Sequence, residues 1–170
     1  EQLLTLARSE PGAPALRHEP LDLSEVVRQA VADAVPFAVS RQTEFELEAD
    51  APVPLTGDRA ALSVLVRNLA DNAVRYSPPG SRVELRVFVD EHGTPTLQVD
   101  DAGPGIPPAE RTRVFDRFYR RNPGPEKGTG LGLAIVRSVA ARHGAQVTLG
   151  DSPLGGLRAT VQFAQAATRG

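Results

Sequence analysis

Two pairs of consecutive strands, with no helix between the members of either pair, constrain this chain most. Val83 to Val89 and Thr96 to Asp100 read as strands joined by a turn at Gly93. Gln146 to Leu149 and Leu157 to Phe163 repeat that arrangement near the C-terminal end. Strands joined directly pair antiparallel, because a parallel neighbour needs a long crossover. Helical patterns surround these pairs. Residues 1–9 resemble the last turns of a helix, and Pro11, Gly12, Pro14 and Pro20 mark a linker after it. With Asp22 or Ser24 as cap, Val26, Val27, Ala30, Val31 and Ala34 recur at helical spacing to about Ser40. Thr43 to Glu48 alternates as a half-buried strand. Asp58 then caps a helix with a stripe of Leu62, Leu65, Val66, Leu69 and Ala73, stopped at Ser77-Pro78-Pro79-Gly80. A short helix is expected over about Ala109 to Phe118, and another from Leu131 to His143, ended by Gly144. Helices on one face of a sheet give a two-layer α/β sandwich.

Composition removes several alternatives. The 170 residues suit one domain with an extension, and 41% hydrophobic content suffices for one core. A net charge of −2 offers no broad basic surface for nucleic acid. No apolar run approaches the length of a membrane span, and no signal peptide opens the sequence. Cysteine is absent, which excludes disulfides and thiolate metal sites. The chain begins without Met inside a helical pattern, as a fragment does.

Three clusters carry chemistry. Asn68 and Asn72 lie four apart and share a helix face, and Arg75 and Tyr76 continue it. Asparagine oxygens suit Mg²⁺, a hard cation that also binds substrate phosphates, and Tyr76 can cover a planar base. A solvated helix face accounts for the same residues. Asp101-Ala102-Gly103-Pro104-Gly105 follows directly on a strand. Its glycines admit close backbone approach, and the aspartate can accept a hydrogen bond from an exocyclic amine. An ordinary Pro-Gly turn would look alike. Gly128-Thr129-Gly130-Leu131-Gly132 opens a helix whose free amides and dipole suit phosphate. It is neither a Walker A sequence nor a spaced G-x-G-x-x-G, and a flexible hinge is the competing reading.

Between Pro107 and Gly130, six basic residues stand against three acidic ones, a net +3 that opposes the chain's overall charge. A basic loop beside a phosphate site reads as a lid. Phe115, Phe118 and Tyr119 within it need something to pack on. His18 falls in the linker, His92 in a turn and His143 at a helix end with a favourable dipole. All three read as structural or surface residues, and none as a phospho-acceptor.

In order and spacing, these clusters resemble the N, G1, F and G2 boxes of sensor histidine kinases. The N box corresponds to Asn68 through Tyr76 and the G1 box to Asp101 through Ile106. The F box corresponds to Val114 through Arg120, and the G2 box to Gly128 through Val136. The resemblance covers about residues 20 to 164. It implies the Bergerat-type fold of the gyrase, Hsp90 and MutL ATPases, a mixed sheet covered on one face by helices. It implies ATP and Mg²⁺ as ligands. Asn72, with Asn68, would hold the metal, and Asp101 would recognise the adenine amino group. Tyr76 and Ile106 would line the base pocket beside Gly103 and Gly105, and Arg75 and Arg120 would reach phosphates. Tyr119 and the stretch Gly128, Thr129, Gly130, Leu131, Gly132 and Leu133 would supply lid and phosphate contacts. Asn68, Asn72 and Arg120 are the catalytic candidates. Three positions depart from the pattern: Arg75 where Lys is commoner, Ala102 for a frequent Asn, and Leu157 where a Thr is often found.

The resemblance further implies a division into residues 1–20, the end of a dimerisation helix and its linker; 21–164, the catalytic domain; and 165–170, a tail. The phospho-accepting His is expected before residue 1, on a dimerisation domain of the same protein. The expected partners are that domain and, through the whole kinase, a response regulator. The fragment is expected to be monomeric and its parent a homodimer anchored in the bacterial inner membrane, with this domain cytoplasmic. A hydrolytic ATPase of the superfamily and a binding module without transfer are the alternatives. Asn68 separates the first, because the hydrolases carry a glutamate there as general base and an amide cannot take the proton. Phosphoryl transfer to an imidazole needs mainly positioning and charge neutralisation.

Overall fold

The computed structural model describes residues 17–116 and 132–164. The helix end expected over residues 1–9, the segment 117–131 and the tail 165–170 lie outside them. The elements run β1 (Glu19–Asp22), α1 (Leu23–Ser40), β2 (Glu44–Glu48), β3 (Pro54–Gly57), α2 (Arg59–Tyr76), β4 (Arg82–Val89), β5 (Pro95–Asp100), α3 (Gly132–Arg142), β6 (Gln146–Asp151) and β7 (Leu157–Gln162). Two 3₁₀ turns, Pro108–Glu110 and Arg113–Phe115, follow β5.

Five strands form one mixed sheet in the order β2-β4-β5-β7-β6. The pairs β4–β5 and β6–β7 are antiparallel, as their direct connections require. β2 pairs parallel with β4, and the chain between them includes α2, a crossover long enough for that geometry. Side chains alternate across the sheet. Val83, Leu85, Val87, Leu97, Val99 and Val161 face the helices and join the stripes of α1, α2 and α3 in one core. Each such side chain fully withdrawn from water contributes about 1.5–3 kcal/mol. Residues of the opposite face form a ladder of charge. Arg82 bonds Glu84 at 2.7 Å, Arg86 bonds Glu48 at 3.1 Å, and Arg158 bonds Asp100 at 2.8 Å. The molecule is thus a two-layer α/β sandwich with helices on one face.

The caps lie where the sequence puts them. Asp22 Oδ1 accepts from the Ser24 amide at 3.0 Å and also from the Val53 amide at 2.8 Å. Asp58 Oδ1 accepts from the Ala61 amide at 3.0 Å, satisfying a free donor at the start of α2. Gly144 takes φ +68° after α3, which a residue without Cβ adopts at little cost.

Two features differ from expectation. β1 and β3 form a separate two-stranded antiparallel sheet with Pro20 opposite Thr56 and Asp22 opposite Pro54. β1 spans the expected linker boundary at residue 20. Four-residue strands carrying proline leave little periodic signal, and proline is tolerated only at such edges. Second, the described part of the Ala109–Phe118 stretch forms 3₁₀ turns rather than an α-helix. Pro107 and Pro108 donate no amide. The Ile106 carbonyl is taken by Arg111 Nε at 2.8 Å, and Arg111 Nη2 reaches Asp151 at 2.8 Å, tying this stretch to the end of β6.

Candidate functional site

Three elements meet at one end of the helical layer. α2 brings Asn68 and Asn72, and ends on Arg75 and Tyr76. The end of β5 brings Asp101, followed by Ala102, Gly103, Gly105 and Ile106. The first turn of α3 brings Gly132 and Leu133. Asn68 is buried, and its Nδ2 donates to the Val64 carbonyl at 2.8 Å. A carbonyl only accepts, so this bond assigns the amide and turns Oδ1 toward α3. A Cβ on Gly132 would stand 3.3 Å from that oxygen, so the start of α3 passes close over Asn68. Asn72, one turn on, is half-buried. The Arg75 guanidinium lies over the Phe37 ring of α1, 5.6 Å from its centroid.

The turn after β5 is pressed against the end of α2. A Cβ on Gly103 would overlap the Tyr76 carbonyl oxygen. The Ala102 amide donates to Ser77 Oγ at 3.3 Å. Gly105 takes φ +74°, a region disfavoured for residues with Cβ. These two glycines answer steric demands rather than flexibility.

Asp101 is held from three directions. Its amide donates to the Leu157 carbonyl at 3.0 Å. Its Oδ1 accepts from the Gly103 amide at 3.0 Å and from the Leu157 amide at 2.9 Å. No donor among the described residues reaches Oδ2, although the side chain is buried. Burial pushes the carboxyl above the ordinary aspartate range; the two amide bonds oppose this, and neighbouring Asp100 adds to it. A buried carboxylate with one oxygen fixed and the other unpartnered is an acceptor prepared for a donor from outside the fold.

Sequence reasoning misses one residue of this arrangement. A Cβ on Gly156 would overlap Asp101 Oδ1 and approach the Asp101 carbonyl oxygen to 2.6 Å. The Gly155-Gly156 doublet before β7 is its only local signal. Leu157, which departs from the family pattern, touches Asp101 through its backbone amide and carbonyl, which any residue but proline supplies.

Tyr119, Arg120, Gly128, Thr129, Gly130 and Leu131 lie outside the described residues. Of the aromatic cluster, Phe115 is buried with the Arg137 guanidinium 5.6 Å from its ring centroid. His143 is more specific than a surface residue. Its Nδ1 donates to the Val139 carbonyl at 2.8 Å, and its Nε2 accepts from the Asp58 amide at 3.0 Å. Only a neutral ring does both. Burial, ahead of other causes, pushes its pKa below the ordinary histidine value, overriding the helix dipole that favours the charged form.

No group of three or more His, Cys, Asp or Glu able to hold a metal occurs among the described residues, and none of their helices is long and apolar enough to cross a membrane.

Comparison with known proteins agrees with this geometry. Residues 57–167 match the model of the histidine kinase-, DNA gyrase B- and HSP90-like ATPase family. The chain is similar to the swarming motility regulation sensor protein RssA of Serratia marcescens, 37% identical over 146 residues, which are 86% of this chain and 31% of that protein. It thus spans about a third of the length of that relative. Among solved structures it resembles the mycobacterial sensor histidine kinase MprB, with TM-score 0.77 and 35% identity over 89% of this chain and all of that one. It also resembles full-length ShkA in complex with AMPPNP, with TM-score 0.80 and 31% identity over 98% of this chain and 35% of that one. The chain belongs to the histidine kinase-, DNA gyrase B- and HSP90-like ATPase family, as the catalytic domain of a sensor histidine kinase.

Proposed function

We propose that this domain holds Mg²⁺-ATP and presents its γ-phosphoryl group to a histidine on a dimerisation domain of the same protein. The observation that carries the reading is the orientation of Asn68. Its NH₂ is bonded to the α2 backbone, and its oxygen faces the first turn of α3. A neutral oxygen there would suit a hard cation such as magnesium and cannot act as the general base that hydrolysis requires. The donor chemistry fits magnesium, which keeps few protein ligands and takes the rest from water and phosphate. Asn72 joins Asn68 as metal ligand. Bound magnesium would neutralise phosphate charge.

The remaining roles follow the site outward. Asp101 Oδ2 accepts from the adenine amino group. Tyr76 and Ile106 line the base pocket beside Gly103 and Gly105. Gly132 and Leu133, with Gly128, Thr129, Gly130 and Leu131 before them, would contact phosphate, and Tyr119 and Arg120 would add nucleotide contacts, as the family resemblance implies. Arg75, whose guanidinium lies over Phe37, would contact the phosphates, as the family resemblance implies. The acceptor histidine supplies the nucleophile, which leaves this domain the task of positioning. The phosphoryl group then passes to a response regulator. The AMPPNP bound to full-length ShkA supports nucleotide as the ligand. The parent is a membrane-anchored homodimer with this domain on the cytoplasmic side.

Calorimetric titration with a non-hydrolysable ATP analogue tests the first step; binding is expected with Mg²⁺ and is refuted by the absence of heat. For the second step, labelled ATP is supplied with a separate His-bearing domain. Label should pass to that domain, and Asn72→Ala should abolish the transfer. Unchanged labelling would refute Asn72 as metal ligand.

A further inference from the structure

Asp100 and Asp101 are consecutive buried carboxylates at the end of β5, exposed by 1% and 5%. By strand alternation they serve opposite faces of the sheet. Asp101 belongs to the nucleotide side, whereas Asp100 belongs to the open, charged face. Burial raises the Asp101 carboxyl above its ordinary range, and the neighbouring Asp100 charge adds to that rise. Asp100 has a counter-charge. Arg158 of β7, directly opposite Asp100, donates Nε to Oδ1 at 2.8 Å and Nη2 to Oδ2 at 3.0 Å. This two-pronged pair matches the planar guanidinium to the carboxylate. It also covers Asp100, which is why a residue on the open face is buried.

The pair sits one residue away from both ends of the Asp101–Leu157 contact, since Leu157 precedes Arg158 and Asp101 follows Asp100. Asp100 is the charged group whose field reaches Asp101, and Asp100 itself is faced by Arg158 on β7 and by Glu84 on β4. Glu84 has its own partner in Arg82. Arg158 is therefore the cation that offsets Asp100.

We propose that Arg158 is a positioning residue for base recognition: by neutralising Asp100 it keeps Asp101 ionised, and so keeps its free oxygen an acceptor for an amino group. A protonated Asp101 would present a hydroxyl donor instead, suited to a base with a carbonyl at that position, such as guanine. Arg158 thereby sets the preference for adenine without touching the nucleotide. The inference rests on the adenine-reading role of Asp101 proposed for this site.

The test uses the whole chain, with Arg158→Gln, Asp100→Asn and the double variant. The Asp101 carboxyl ¹³C signal is titrated without nucleotide, so this readout is independent of ATP binding. Its midpoint should rise in Arg158→Gln, return in the double variant and fall in Asp100→Asn. Affinity for a non-hydrolysable ATP analogue is then compared at low and neutral pH. A one-unit rise in midpoint lowers the ionised fraction about tenfold well below it. Arg158→Gln should therefore lose more affinity at low pH, and its preference over the guanosine analogue should narrow there. Equal loss at every pH, with no recovery in the double variant, would reduce the pair to a structural clamp and overturn the proposal. An unmoved Asp101 midpoint would overturn it as well. If Arg158→Gln alone does not fold, Asp100→Asn compared with the double variant isolates the Arg158 charge: the midpoint should be higher in the double variant, and equal midpoints would overturn the proposal. Failure of the parent chain to bind the ATP analogue would instead overturn the nucleotide reading and the base preference built on it.

Discussion

Replacing Asp101 by Asn should separate stability from binding. The amide keeps Oδ1, so the Gly103 and Leu157 amides retain their acceptor. It replaces Oδ2 by an NH₂ and removes the charge. Asp101 is raised above the ordinary aspartate range, chiefly by burial. For an acid raised in the fold, the stabilising contribution is complete below the unfolded value and is lost as pH rises through the folded value. At neutral pH the parent therefore carries a buried charge at a net cost, and Asp101→Asn should unfold at an equal or higher urea concentration. That advantage should shrink as pH falls toward about 3.9, where the parent carboxyl is itself becoming neutral. Binding moves the other way. Loss of a hydrogen bond to a charged acceptor costs about 1.5–3 kcal/mol, or about 10- to 150-fold in Kd, and the new NH₂ opposes the adenine amino group. The assays are urea unfolding followed by circular dichroism across pH, and calorimetry with the ATP analogue. A variant that loses stability at neutral pH, with affinity falling only in step, would make Asp101 a structural residue. Unchanged affinity would refute the adenine contact.

The two glycines before β7 should differ. Gly156→Ala forces a Cβ onto Asp101 Oδ1 and should cost about 1–3 kcal/mol of stability together with most ATP-analogue affinity. Gly155→Ala meets only the strain of φ +101° in open space, so it should lose about 1–2 kcal/mol and leave affinity unchanged, both read by unfolding and calorimetry. His143 is held neutral with a lowered pKa, so its stabilising contribution is present above about pH 6.5 and is lost as pH falls through its lower folded value. Urea unfolding should show that slope in the parent and not in His143→Gln; an identical slope in both would refute the assignment.

What was legible in the sequence was what local spacing encodes. Asn68 and Asn72 share a face because the helix repeats every 3.6 residues, and Asp101 is identifiable because it ends an alternating run. The hairpins β4–β5 and β6–β7 follow from short connections. What was not legible depends on pairing across the chain. Nothing near Phe45 announces that β2 runs parallel to β4. Pro20 and Pro54 hide β1 and β3 behind a turn-like composition. Gly156 matters only because the β5–β7 register brings it against Asp101, 55 residues away, and Arg158 meets Asp100 for the same reason. The dipole at the end of α3 argued for a charged His143. The carbonyl of Val139 and the amide of Asp58, one acceptor and one donor, decide for the neutral ring.

The site also explains why this fold tolerates features that cost it stability. Asp101 carries a buried charge whose second oxygen has no donor among the described residues, and Gly103, Gly105 and Gly156 forgo side chains where backbone strands converge. A core selected for stability alone would not bury that unpartnered oxygen or need the backbone crowding that those glycines relieve. Asn68 adds the chemical direction. Its NH₂ donates to the Val64 carbonyl, and what it turns toward α3 is an amide oxygen, which cannot remove a proton from water. On the proposed reading, one end of the site would read a base through a fixed acceptor, and the other would hold a metal and phosphates without a general base. A site built this way retains its nucleotide until a nucleophile arrives from elsewhere. That is the arrangement a phosphoryl donor needs if the histidine acceptor is to be favoured over water.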